Sequence, residues 1–159
     1  MPARLIERLI ERLIATLLTA TLCTAALASE QDEDHDLIGN MGSLQYFSHK
    51  LDLSIRARNR ELVDFYAHEI EETIEATTEI AEYHGKPVGK LTEDMLAPAF
   101  ERFERAMNDE GGDWNAIDGR FGEMIDACNA CHQATEYGFI NIRRTEANPY
   151  MQSFESIDE

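Results

Sequence analysis

Apolar residues recur at helical spacing along almost the whole chain, and that periodicity confines it to an all-α fold. Leu37, Met41, Leu44, Ser48, Leu51 and Ile55 fall at steps of three and four, which predicts a first helix over 37–58. Asn59 interrupts it. Leu62, Tyr66, Ile70, Thr73, Thr77 and Ile80 then set out a second helix of similar length, stopped by Gly85 with Lys86-Pro87 behind it. Residues 85–94 read as a loop, with Thr92 or Asp94 capping a shorter third helix whose face is Phe100, Phe103 and Met107. Pro98 is compatible with that helix only in its first turn, where no backbone N–H is needed. Gly111-Gly112 breaks the chain, and Asp113 is a good N-cap for a fourth helix along which Ile117, Phe121, Met124, Ile125 and Cys128 share one face. No segment alternates apolar and polar residues long enough to make a strand. The expectation is an antiparallel four-helix bundle, followed from Phe139 by an irregular tail whose Ile140, Ile142, Tyr150 and Phe154 pack over the helices.

The first 28 residues have a different character. Arg4, Arg8 and Arg12 precede an apolar run from Leu13 to Leu27, and Ala26-Leu27-Ala28 has the small-x-small pattern of a processing site. The run is shorter than the roughly 20 residues that span a bilayer. It therefore reads as a signal peptide cleaved near Ala28, which sends the chain to the periplasm and leaves no membrane anchor. Residues 29–36 form a flexible acidic start, and 37–159 form one domain. Cleavage leaves 11 basic and 29 acidic residues, a net charge near −18. Such a surface argues against nucleic acid and anionic membranes and suits a partner that offers a basic patch.

Cys128-Asn129-Ala130-Cys131-His132 is a Cys-x-x-Cys-His sequence, the attachment pattern of c-type haem. Residues i and i+3 lie on one helix face, so both thiols reach the two vinyl groups along one porphyrin edge. The next residue is turned by about 100°, which aims its imidazole toward the iron. Competing readings of the pair fit less well. A thiol–disulfide redox site places its cysteines at a helix N-terminus after a strand, whereas these lie about four turns into a helix. A structural zinc site needs four ligands, and no second Cys pair exists. A disulfide between i and i+3 of a continuous helix is geometrically awkward.

Helix number, export, and the position of Cys-x-x-Cys-His on the last helix make the chain resemble the class II c-type cytochromes, the cytochrome c′-like four-helix-bundle family. The resemblance covers most of residues 37–138. It implies one covalent haem c on Cys128 and Cys131, with His132 as an axial iron ligand. It also implies that one residue of the first helix faces the other side of the iron. Met41, near the start of that helix and on its apolar stripe, is the candidate, and a thioether there would favour the ferrous state and suit electron transfer. If Met41 only packs, with Leu44 lining an open position, the iron would instead bind a small gas such as nitric oxide or carbon monoxide. His49 lies some 80° round the same helix, so ligation through it needs a rotated helix. The family implies pairing into homodimers through the first two helices, where Tyr46 and Phe47 either form such an interface or lie under the tail. Two departures stand out: Gln133-Ala134-Thr135-Glu136 follows the motif where a basic residue is usual, and the segment after it is long.

Other chemistries find less support. A di-iron carboxylate site requires two Glu-x-x-His pairs, and the residues three before His68 and His84 are Phe65 and Ala81. His68 reads as a surface residue, His84 as closing the second helix, and His35 as part of the acidic start. Arg56 and Arg58 lie three or four turns from Met41, too far to serve a peroxidase-like distal site. The chain reads as a carrier and not as an enzyme.

Overall fold

The computed structural model describes residues 37–109 and 112–156, and their secondary structure is helical with no strand. The expected signal peptide and acidic start lie outside the described residues. Helix α1 occupies residues 37–57. It ends because Arg58 turns to a left-handed φ of 55° and Asn59 takes an extended conformation. Helix α2, Arg60–Thr78, begins there, capped by the Asn59 side chain, which accepts from the Leu62 N–H at 3.1 Å. Gly85 at φ 74° closes a tight turn between Tyr83 and Lys86.

The expected loop over 85–94 is overturned. Helix α3 fills residues 88–108 in three pieces: an α-helical turn at Val88–Leu91, a π-helical turn at Thr92–Leu96, and an α-helix at Ala97–Asn108. Neither Thr92 nor Asp94 caps a helix, since both lie inside the π turn, where the Ala97 N–H reaches back to the Thr92 carbonyl. Pro98 therefore sits in the middle of α3. It follows immediately on the π turn, where the hydrogen-bond register has already shifted and a missing N–H is tolerated. The helix starts early because Gly89 lets its backbone meet the end of α2: a Cβ there would collide with the carbonyl oxygens of Ile80 and Thr78, and the Gly89 N–H donates to Ile80 at 3.0 Å.

Helix α4, Trp114–Ala134, begins at Asp113, whose carboxylate accepts from the Asn115 N–H at 3.0 Å. The apolar stripes read in the sequence face inward. Leu51, Ile70, Phe103, Ile117 and Phe121 are fully or almost fully buried, and Phe103 meets Phe121 edge-on with ring centroids 6.2 Å apart. Val63, Ala67 and Ile74 join them from a second row of α2. The described residues thus form an all-helical structure of four helices compatible with a bundle.

Residues 137–156 carry neither helix nor strand, and of them only Phe154 is buried. Side-chain hydrogen bonds hold this segment. The Asn59 amide donates to the carbonyls of Phe154 and Glu155, each at 3.2 Å, and Lys50 Nζ donates to Gln152 at 2.8 Å. That ammonium also lies over the rings of Tyr46, Tyr66 and Tyr150, at 4.7, 5.4 and 4.9 Å from their centroids. Tyr46 accordingly packs against this segment, edge-on to Tyr150 at 5.5 Å.

Candidate functional site

The last two turns of α4 carry Cys128, Cys131 and His132, and all three open onto one apolar cavity of about 370 Å³. That volume lies within the range of small-molecule and cofactor pockets. Helix α1 contributes Met41 and Leu44 to its wall, and α3 contributes Val88 and Leu96. The four residues singled out by the sequence, Cys128, Cys131, His132 and Met41, therefore border the same space.

The two thiols are free and partly buried. Burial, and secondarily the neighbouring Cys131 sulfur, pushes the Cys128 thiol up to about 12; burial raises Cys131 as well. Both thiols stay neutral at neutral pH. A thiol–disulfide oxidoreductase does the opposite and stabilises its thiolate.

The imidazole of His132 is fixed by the segment that follows α4. Its Nδ1–H donates to the carbonyl of Ile140 at 2.8 Å. A carbonyl can only accept, so Nδ1 carries a proton, and in the neutral ring the lone pair lies on Nε2. The chain is brought back to make this bond by the end of α4. Glu136 takes a φ of 68°, its N–H donates to Gln133, and the Tyr137 N–H donates to His132. This is a Schellman cap made with a glutamate where glycine is usual.

The segment that supplies Ile140 is tied to the motif a second time. Asn129, the first residue between the two cysteines, donates to the Ile142 carbonyl at 3.0 Å and accepts from the Ile142 N–H at 2.7 Å. Two residues on, Arg144 donates through Nε and Nη2 to one carboxylate oxygen of Asp52, at 3.0 and 2.6 Å, and also bonds Asp118. Arg56 Nε reaches the same Asp52 oxygen at 3.1 Å. Asp52 is 2 % exposed, and its other oxygen has no partner among the described residues. Arg144, first by hydrogen bonding and then by its charge, holds the Asp118 carboxyl below the usual carboxylate range. Asp52 and Arg144 line a second, polar cavity of about 460 Å³ that shares Gln45, Ser48, Ile125 and Ile142 with the first.

The remaining histidines lie elsewhere. His49 lines the polar cavity and uses both ring nitrogens: Nε2–H donates to Ala147 at 2.9 Å, and Nδ1 accepts from the Tyr150 hydroxyl at 3.0 Å. His68 is exposed beside Glu71 and Glu72. His84 stacks on Tyr83, and its Nδ1 lies 3.1 Å from the Tyr137 hydroxyl. Sequence reasoning missed Asn129, Ile140, Asp52 and Arg144. Asp52 alone carried a signal, as an acid inside the buried run 50–55 of α1.

Among the described residues no cluster of three or more His, Cys, Asp or Glu side chains could hold a bare metal ion. No helix among them is long and apolar enough to cross a membrane. No protein-family model matches the chain, and neither the curated proteins nor the solved structures yield a match.

Proposed function

We propose that this chain is an exported, periplasmic c-type cytochrome with a single covalent haem, acting in electron transfer. The observation that carries the reading is the convergence of both Cys-x-x-Cys thiols and the adjacent imidazole on one apolar cavity, with the far nitrogen of that imidazole already engaged by Ile140. The donor set suits the group. Two neutral thiols can each add S–H across a vinyl group, forming a carbon–sulfur and a carbon–hydrogen bond and consuming no other reactant. Nε2 of His132 is left with the lone pair an axial ligand requires. Haem, when bound, supplies an iron that cycles between ferric and ferrous states.

The chain's own residues do the rest. Leu44, Val88, Leu96 and Ile125 exclude water from the cavity, and Met41 brings a thioether to the same wall. We take the bundle to be antiparallel, because α1 lines the apolar cavity from Leu37 to Ser48 with Ile125 to His132 of α4, while α1 lines the polar one from Gln45 to Asp52 with Phe121 and Ile125. The acidic surface would steer the protein onto the basic patch of a redox partner. A five-coordinate gas-binding protein is the alternative, favoured by Leu44, which is buried beside Met41 on the same wall.

The test is expression with a cytochrome c maturation system, followed by absorption spectra of the oxidised and reduced protein with and without carbon monoxide. Haem that survives denaturation in the wild type and is lost in Cys128→Ser/Cys131→Ser supports the proposal; wild-type protein without covalent haem defeats it. A low-spin reduced spectrum indifferent to carbon monoxide, and altered in Met41→Ala, selects electron transfer with Met41 as sixth ligand. A high-spin spectrum converted by carbon monoxide selects the gas binder.

A further inference from the structure

We infer that residues 137–152 act as a strap that sets the electron affinity of the haem site, with Asn129 as its positioning residue; this rests on the haem reading above. The strap lines the cavity with Tyr137, Ile140 and Ile142, and it touches the imidazole through one hydrogen bond, from His132 Nδ1–H to Ile140. A donor bond at Nδ1 gives the imidazole partial anionic character and makes Nε2 a stronger donor, which favours the ferric state. The strength of that bond depends on where the Ile140 carbonyl is held.

Asn129 holds it. The side chain clamps both backbone groups of Ile142, two residues beyond Ile140, and it belongs to the same pair of helical turns as the cysteines and His132. The carbonyl and the imidazole are thus fixed to one another through four residues of α4, 129–132, and three of the strap, 140–142. On the near side the Ile140 N–H donates to Tyr137 at 2.8 Å, which closes a turn against the end of α4. On the far side Arg144 binds Asp52, the Ala147 carbonyl accepts from His49, and Gln152 meets Lys50 and Tyr66. All of Asp52, His49 and Lys50 belong to α1, the helix that carries Met41. The strap therefore spans from the ligand on one side of the cavity to the helix that forms the other. Displacing it would weaken the His132 bond and remove the polar contacts of Asp52, His49 and Lys50 together.

The experiment uses the full-length holoprotein after covalent haem has been verified in every variant. In Asn129→Ala the midpoint potential should rise, with about a tenfold change in the ferric-to-ferrous ratio at fixed solution potential, equivalent to about 59 mV for one electron. Asn129→Asp keeps the acceptor for the Ile142 N–H and loses the donor, and should give a smaller rise. A purely structural role for Asn129 would lower stability and leave the potential in place. The wild type supplies a second measurement that needs no variant: exchange of the His132 Nδ1 proton with solvent, followed by NMR, should be slow. An unchanged potential in the variants, or fast exchange in the wild type, overturns the inference. Neither result touches haem attachment, which fails only if wild-type protein carries no covalent haem.

Discussion

The helical frame and the segment that follows it are held by opposite means. In α1 to α4 the fixing contacts are apolar: Phe103 and Phe121 are almost fully buried against each other, and Leu51 and Ile70 are completely enclosed. In residues 137–156 only Phe154 is buried, and the chain is placed by the hydrogen bonds of Asn129, Arg144, His49, Lys50 and Asn59, all but that of Asn129 spanning 90 residues or more. Burial is undirected and tolerates a shift of a few tenths of an ångström, whereas a hydrogen bond fixes a direction. The frame makes a cavity; the strap aims one nitrogen within it.

The contrast can be tested by substitution. Phe103→Ala should have the largest effect, lowering unfolding free energy by about 3–5 kcal/mol in urea titrations. Arg144→Met should cost less, about 2–3 kcal/mol, because a buried pair is broken but Arg56 still faces Asp52. If Arg144→Met matched Phe103→Ala, the strap would be part of the core's cooperative unit and the distinction would collapse. The same variant sharpens the contrast through pH. Asp118 has a depressed pKa in the folded protein, so its stabilisation is fully present above its unfolded value near 3.9 and lost as pH falls through the folded value. Wild type should therefore lose stability in acid more steeply than Arg144→Met below about pH 4. The smallest effect is expected at the junction of the two regions. Asn59→Ala removes the α2 cap and two anchors of the strap, and should cost about 1–2 kcal/mol.

Periodicity made the frame readable. Leu37, Leu44, Leu51 and Ile55 are buried as their spacing requires, and the breaks at Asn59 and Asp113 fall where the chemistry of caps puts them, whereas α2 stops at Thr78, short of the expected end at Gly85. The loop assigned to 85–94 failed for a local reason. Pro87 and Pro98 both look like helix boundaries, and the close approach permitted by Gly89 is a tertiary fact with no periodic trace. The site was legible as far as its motif. Cys128, Cys131 and His132 are fixed by spacing, and Met41 by its place on a stripe, so their meeting around one cavity follows from helix geometry. Asn129 and Ile140 were not legible, because a bond from a side chain to a distant carbonyl leaves no pattern in either stretch of sequence.

The π turn at Thr92–Leu96 makes the chain length of α3 an exact requirement. Val88, Thr92 and Leu96 border the cavity, while Phe100, Phe103 and Met107 enter the core. A helix with one residue more in this turn than an α-helix would have presents two faces that do not share a phase. Removing that residue would turn everything before it by about 100° relative to Phe100 and Phe103. Phe100, Phe103 and Met107 would keep their places, while Val88 would leave the cavity and its buried cluster with Leu37 and Ile80, and Gly89 would lose its seat against α2. A single-codon deletion here would thus shift a whole wall of the cavity at once, where substitutions at the same positions would only change its shape residue by residue.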